Sequence, residues 1–161
     1  MSGRRIDIVE VGPRDGLQND PADLTVEQKV EFVERLIACG VKRLETGSFV
    51  SPKAVPKMAD SAAVFHAVKA KTSARHIALA LNETGVRRAI DAGADEINFV
   101  LVASEAFGLA NQNMTPQQSA EALQHIVPVA AEANIPVSAT IAVAFGDPFS
   151  GEVSAHQVGN L

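Results

Sequence analysis

An arginine and an aspartate stand side by side at Arg14 and Asp15, inside a short loop opened by Gly12-Pro13 and closed by Gly16. A carboxylate in such a loop suits a hard divalent cation, which takes oxygen ligands. A guanidinium beside it can stabilise an oxyanion that develops during a reaction. The pair also has a plainer use, in which Asp15 closes the turn and Arg14 pairs with Glu10 or Glu45. Further polar groups recur at intervals along the chain: Glu45-Thr46 and Ser48, then Asn82, Asn98, and Ser104-Glu105. Chemistry at one site requires that the fold bring these separated groups to one place.

The hydrophobic pattern predicts how. Residues Ile6 to Val11 alternate and read as a strand, as do Val41 to Thr46, His76 to Leu81, Ile97 to Val102 and Pro136 to Val143. Between them, Thr25-Val26-Glu27-Gln28 and Thr115-Pro116-Gln117-Gln118 have the form of capping boxes that open helices. The first of these helices carries Val26, Val30, Val33 and Ile37 on one face and stops at Gly40. The second buries Ala120, Leu123 and Val127 and is expected to kink at Pro128. Helices are also expected from near Asp60, burying Val64, Ala67 and Val68, and after Asn82, carrying Val86, Ala89 and Ile90 to a stop at Gly93. One more begins in Glu152 to Leu161. Strands separated by helices imply parallel pairing. An open doubly wound sheet and a (β/α)₈ barrel both fit, and the first turn lacks the glycine pattern of a nucleotide-binding open sheet. In either architecture the polar groups fall at the carboxyl ends of the strands, where active sites lie.

Composition narrows the class. With 161 residues, 47% apolar and 20% charged, the chain is expected to form a single domain over 1–161. There is no apolar run long enough to span a membrane, and Asp7 and Glu10 interrupt any secretory pattern near the start. A net charge of −5 with no Trp and no Tyr argues against nucleic acid. Cys39 is the only cysteine, so an internal disulfide is excluded. It is expected to be a small buried group, and the cytoplasm is the expected location. His66, His76, His125 and His156 are read as surface or helix histidines.

The segment Glu10-Val11-Gly12-Pro13-Arg14-Asp15-Gly16-Leu17-Gln18-Asn19 closely resembles the signature loop of 3-hydroxy-3-methylglutaryl-CoA lyases. Glu45-Thr46-Gly47-Ser48-Phe49-Val50-Ser51-Pro52-Lys53 is similar to the family's second-strand motif. Ala103-Ser104-Glu105 with Asn111, and Gly146-Asp147-Pro148-Phe149-Ser150-Gly151, resemble segments after later strands. The resemblance implies a (β/α)₈ TIM barrel, of which this chain covers about the first five β/α units. It implies retro-aldol cleavage of 3-hydroxy-3-methylglutaryl-CoA to acetyl-CoA and acetoacetate, as in leucine degradation, by a divalent-metal-dependent carbon–carbon lyase. By the same resemblance, Asp15 is a ligand of Mg²⁺ or Mn²⁺, Arg14 acts on the substrate carbonyl, and Glu45 completes the catalytic group. Gln18, Ser48, Ser104 and Asn111 are substrate-binding candidates, and Glu10 is placed to orient Arg14. The partner is an acyl-CoA, and a homodimer is expected.

There are departures from the family pattern. The His-x-His pair and Asn that complete the family's metal site, and its cysteine-bearing mobile loop, have no counterpart here. Gly146-Asp147-Pro148 stands where Gly-Cys-Pro is usual, with Asp147 expected to cap a turn, and Gly47 replaces a frequent Thr. A (β/α)₈ barrel takes about 250 residues, so the remaining metal ligands are expected in a missing C-terminal part, and the chain alone is expected to have little or no activity. Asp15→Asn and Arg14→Gln are expected to remove most of the turnover with little loss of fold. Two other readings are a Claisen-type synthase or lyase of the same superfamily acting on another acyl-CoA, and a non-catalytic partial barrel that associates with a copy of itself.

Overall fold

The structure, a computed structural model, describes residues 6–161, so the pentapeptide Met1-Ser2-Gly3-Arg4-Arg5 lies outside the described residues. The strand expected over Ile6 to Val11 is reduced to one parallel bridge. There the Glu10 N–H donates to the Arg43 carbonyl (3.0 Å) and the Glu10 carbonyl accepts from the Glu45 N–H (2.8 Å). The chain leaves the sheet immediately afterwards because the Val11 carbonyl gathers the N–H groups of Arg14 and Asp15 at 3.1 and 2.7 Å. Gly12–Gly16 thereby wind into a π-helical turn that runs on into α1 (Leu17–Asn19).

The rest alternates as the pattern demands: α2 (Val26–Ala38), β1 (Arg43–Ser48), α3 (Ser61–Lys69), β2 (Arg75–Leu79), α4 (Glu83–Asp91), β3 (Glu96–Val102), α5 (Glu105–Gln112), α6 (Pro116–Glu132), β4 (Val137–Ala142) and α7 (Ala155–Gly159). The four strands pair in parallel in the order β1-β2-β3-β4. Sequential order in a parallel sheet, with a helix in each crossover, is the arrangement of a barrel wall.

Both expected capping boxes form. Thr25 and Gln28 exchange bonds at 2.9 and 3.3 Å, and Thr115 and Gln118 at 2.9 and 3.2 Å. Each such cap stabilises its helix by about 1 kcal/mol. Gly40 and Gly93, at φ +97° and +85°, end α2 and α4 in the left-handed region open to glycine. Asp60 precedes α3 without capping it, because its carboxylate is taken by Lys29, whose Nζ reaches both oxygens at 2.7 and 2.8 Å and the Lys57 carbonyl at 2.7 Å. This contact ties α2 to α3. The strand expected to reach Val143 stops at Ala142, since Val143 adopts φ +54° and turns the chain away.

The core lies between the sheet and the helices, around Phe49, Phe65, Ile97, Phe99 and Ile126. Phe49 and Phe65 meet edge to face at 5.4 Å. On α6 the buried face is Ser119, Ile126 and Ala130, with Ala120 and Leu123 partly covered. Val127, expected inside, is 43% exposed, one position off the face that meets the sheet. The helix continues through Pro128 to Glu132. Two further expectations fail. Cys39 is exposed, because it caps α2 just past the packed turns. His76 is fully buried: it belongs to β2, and its ring turns toward the helix layer beside Phe65. Its Nδ1 and Nε2 each meet a threonine hydroxyl, of Thr46 and Thr72, at 2.8 Å.

Candidate active site

Arg14 is the centre of the polar rim. Its Nε donates to Glu45 Oε2 at 2.7 Å, and its Nη2 lies 2.5 Å from the same oxygen. Nη1 donates to Asp15 Oδ1 at 2.9 Å. Burial differs sharply along this chain of contacts, with side chains 2% exposed at Glu45, 15% at Arg14 and 54% at Asp15. A buried carboxylate thus fixes the guanidinium from below, while Asp15 presents its carboxylate to the outside. The fork still has donors for a ligand oxygen.

Glu10 has a different task from the one expected. Its carboxylate accepts from the Gly12 N–H at 2.7 Å and braces the loop. The orienting contacts to Arg14 come from Glu45, across the bridge between residue 10 and β1. Behind Glu45 the network continues. Asn98 Nδ2 donates to Glu45 Oε1 at 2.8 Å, and Thr140 Oγ1 donates to Asn98 Oδ1 at 3.0 Å. Asn98 was counted among the recurring polar groups of the sequence but given no role at the site. The signal for it was present: a lone amide in the apolar run Ile97-Asn98-Phe99-Val100, at a position whose neighbours face the core. These groups line a cavity of about 250 Å³ on the inner face of the sheet.

The substrate-binding candidates divide. Ser48 is 2% exposed, and its Oγ has no hydrogen-bonding partner among the described residues; the same holds for Gln18 Oε1. A buried polar atom left unpaired costs about 1–3 kcal/mol, so both oxygens are suited to a ligand donor. Ser104, by contrast, is committed. It caps α5 by accepting from the Phe107 N–H at 3.4 Å, and its hydroxyl donates to Asp147 Oδ2. Asn111 lies exposed on α5, a helix that was not expected from the hydrophobic pattern although Ser104-Glu105 opens it and Asn113, at φ +54°, closes it.

Asp147 does cap a turn, as expected, and it does so while buried. Its Oδ1 accepts from the Phe149 N–H at 2.7 Å and its Oδ2 from Ser150 Oγ at 2.6 Å as well as from Ser104. Burial alone would raise its carboxyl, but the Ser104 and Ser150 hydroxyls and the backbone donors bring it down to about 2. The loops after β3 and β4 are thereby joined. Gly47 also has a structural reason: a Cβ there would sit 2.6 Å from Ser61 Oγ, the group that accepts the Ser48 N–H at 3.0 Å.

As a metal site the described residues are incomplete. They contain no group of three or more His, Cys, Asp or Glu side chains able to hold an ion. Asp15 offers one exposed carboxylate, which by itself leaves a hard cation to be ligated mainly by water.

The parallel strand order and the ionic rim at the carboxyl ends define half of a (β/α)₈ barrel whose polar groups face one mouth. A family model described as HMGL-like matches residues 5–159, and the chain belongs to that family. It is 38% identical over 155 residues to the 3-hydroxy-3-isohexenylglutaryl-CoA/hydroxy-methylglutaryl-CoA lyase of Pseudomonas aeruginosa, covering 96% of this chain and 52% of that one. To the mitochondrial hydroxymethylglutaryl-CoA lyase of Arabidopsis thaliana it is 39% identical over 153 residues, covering 95% of this chain and 33% of the relative. The solved HMG-CoA lyase of Acinetobacter baumannii, in complex with coenzyme A and 3-methylmalate, superposes with a TM-score of 0.89 at 37% identity, covering 96% of this chain and 50% of that one. The chain therefore spans between a third and about half the length of these relatives.

Proposed function

We propose that the protein carrying this chain is a 3-hydroxy-3-methylglutaryl-CoA lyase, and that this chain supplies the oxyanion-stabilising half of its active site. The observation that carries the reading is the Arg14 guanidinium, held at the rim by buried Glu45 and flanked by exposed Asp15. As a base takes the hydroxyl proton of the tertiary alcohol and the C3 oxygen becomes the ketone of acetoacetate, the C2–C3 bond breaks and its electron pair stays with acetyl-CoA as a thioester enolate, whose oxygen takes hydrogen bonds from Arg14 before C2 is reprotonated. The fork needs no reorganisation, because Glu45 already fixes its plane. Ser48 and Gln18, with their unpaired oxygens, orient the acyl group. Asn111 is a further contact from α5, and Ser104 acts by holding that helix and the following loop in place. Glu45 enters as the anchor of Arg14.

Enzymes of the family depend on a divalent metal in general. Mg²⁺ or Mn²⁺ is the ion proposed here, with Asp15 as one ligand. An acyl-CoA is the substrate class. A cytoplasmic homodimer acting in leucine degradation completes the reading, although relatives are named for both the cytoplasm and mitochondria. Among the described residues no helix is long and apolar enough to cross a membrane.

The test is a Mg²⁺-supplemented assay of the whole protein for acetoacetate and acetyl-CoA, beside Arg14→Lys. Release of both products, lost in the variant, supports the reading. Unchanged turnover in Arg14→Lys would remove Arg14 from it. A second substrate deserves a parallel assay because the Pseudomonas aeruginosa relative is also named for a longer C3 chain. Faster cleavage of an isohexenyl analogue than of the methyl substrate would reassign the specificity.

A further inference from the structure

We infer that Asn98 and Thr140 are positioning residues: a two-residue clamp on the inner face of the sheet that sets the orientation of Glu45, and through it the Arg14 fork. The inference rests on the functional reading of Arg14 above and adds to it the device that holds the arginine in place.

The chemistry of the donors fixes the direction of the clamp. An ionised carboxylate only accepts, so the Asn98 side chain must turn its NH₂ toward Glu45. That leaves its carbonyl oxygen facing Thr140, whose hydroxyl is free to donate. The two bonds, 2.8 and 3.0 Å, follow that polarity and join β1, β3 and β4. Strand alternation explains the placement. Ile97 and Phe99 are fully buried on the helix side, so Asn98 projects to the other face, where Glu45 and Thr140 lie. The last torsion of a glutamate is broad and poorly held by its own preferences. One Glu45 oxygen is used by Arg14 and the other by Asn98, which locks that torsion. Remove the amide and the carboxylate is free to turn, carrying the guanidinium with it. A water entering the adjoining cavity could bond the Glu45 carboxylate, but without the fixed direction that the amide imposes.

The experiment has two readouts. In the whole protein, the Arg14 Nε–H resonance is followed by ¹⁵N-resolved NMR together with its exchange with solvent. Asn98→Val is expected to shift the resonance and speed its exchange about tenfold, the loss of one hydrogen bond to a charged group. Thr140→Val, on an exposed position that keeps the fold, is expected to move it in the same direction by less, and Thr140→Ser to recover most of the change. In the whole protein, Asn98→Val is expected to lower kcat about tenfold with KM within about twofold, the pattern of a contact expressed in the transition state. An Arg14 resonance and exchange rate unchanged in both Asn98→Val and Thr140→Val would overturn the clamp. If Arg14→Lys keeps full turnover while Asn98→Val still moves the resonance, the catalytic reading fails and the clamp stands as structure. Should Asn98→Val not fold, Thr140→Val against Thr140→Ser decides alone.

Discussion

Two buried glutamates sit on this sheet, and their company separates function from architecture. Glu45 and Glu96 are 1% and 4% exposed, both on strands and both paired with arginine. Glu96, at the amino end of β3, takes two cations, one from β1 and one from β2. Arg43 Nη2 reaches its oxygens at 3.2 and 2.9 Å, and Arg75 Nε reaches one at 2.8 Å. Burial would raise its carboxyl, yet Ser138, Arg43 and Arg75 hold it below the ordinary range. Its charge is fully answered within the protein. Glu45 takes one cation and one amide, and its arginine leads outward to the exposed Asp15. The lesson is that a buried carboxylate saturated by cations is a brace, whereas one whose single cation still faces the mouth of the barrel is part of a site.

The sharpest way to break the comparison is to mutate both ends. At the rim, Arg14→Lys is expected to lower turnover of the whole protein by about a hundredfold or more, since removing one preorganised oxyanion donor has effects of that order, and Asp15→Asn to lower it by roughly as much through loss of the charge proposed to hold the metal. Their melting temperatures should stay close to the parent. The earlier expectation that Arg14→Gln spares the fold needs revision: it strips from Glu45, whose side chain is 2% exposed, the one cation that pairs with it among the described residues, and leaving such a charge unpaired is costly. Arg14→Gln should therefore lose both turnover and about 2 kcal/mol of stability, read by urea denaturation. At the other end, Glu96→Gln is expected to cost about 2 kcal/mol, less than a fully buried pair because its arginines are partly solvated. Turnover per folded molecule should be unchanged. The sign with pH follows from the lowered carboxyl. The stability Glu96 contributes is present above its unfolded value near 4.5 and lost as pH falls through the lower folded value. Turnover that collapses in Glu96→Gln while the melt is unaltered would erase the distinction.

Much of this was readable in the residues. Helix starts with reciprocal caps, at Thr25 and Thr115, were placed correctly because their signal is local. The rim loop was readable for the same reason, as a contiguous Arg-Asp between glycines. What escaped depends on tertiary pairing. Alternation at Ile6 to Val11 suggested a strand, but whether a ladder forms is decided by the neighbour, and only Glu10 finds one in Leu44. Arg14 was given two carboxylate partners in prospect, and spacing cannot choose between residues 4 and 31 positions away. Asn98 carries no motif, so only the fold shows that it meets Glu45. His76 was read as a surface or helix histidine because a single histidine gives no hint of its face.

A smaller effect tests the link between neighbouring loops on the functional end. Ser104→Ala removes the α5 cap and one of the donors to Asp147, and is expected to cost about 1 kcal/mol. If the rim loops are only scaffolding, kcat falls no further than the folded fraction. If Asn111 on α5 contacts the substrate, KM rises as well, and steady-state kinetics below the melting transition separates the two.

The last test concerns a buried titratable group that belongs to neither glutamate. His76 lies against Phe65 on the helix side of β2, between two threonine hydroxyls, with Asp95 and Lys69 the charged groups nearby. Desolvation lowers its pKa from the ordinary 6.5, Asp95 opposes that shift and Lys69 adds to it. Above pH 6.5 the ring is neutral folded and unfolded, so stability is at its full value. As pH falls below 6.5 the unfolded chain takes up the proton first, and stability declines until the lower folded value is passed. Melting curves from pH 7.5 to 5.5 should show that decline in the parent chain and not in His76→Gln, which keeps polar atoms for the two threonines without a titrating ring. An equal slope in both would place the acid sensitivity elsewhere. Glu96, whose folded value lies below 4.5, does not titrate in that window, so the two buried groups can be told apart by pH alone.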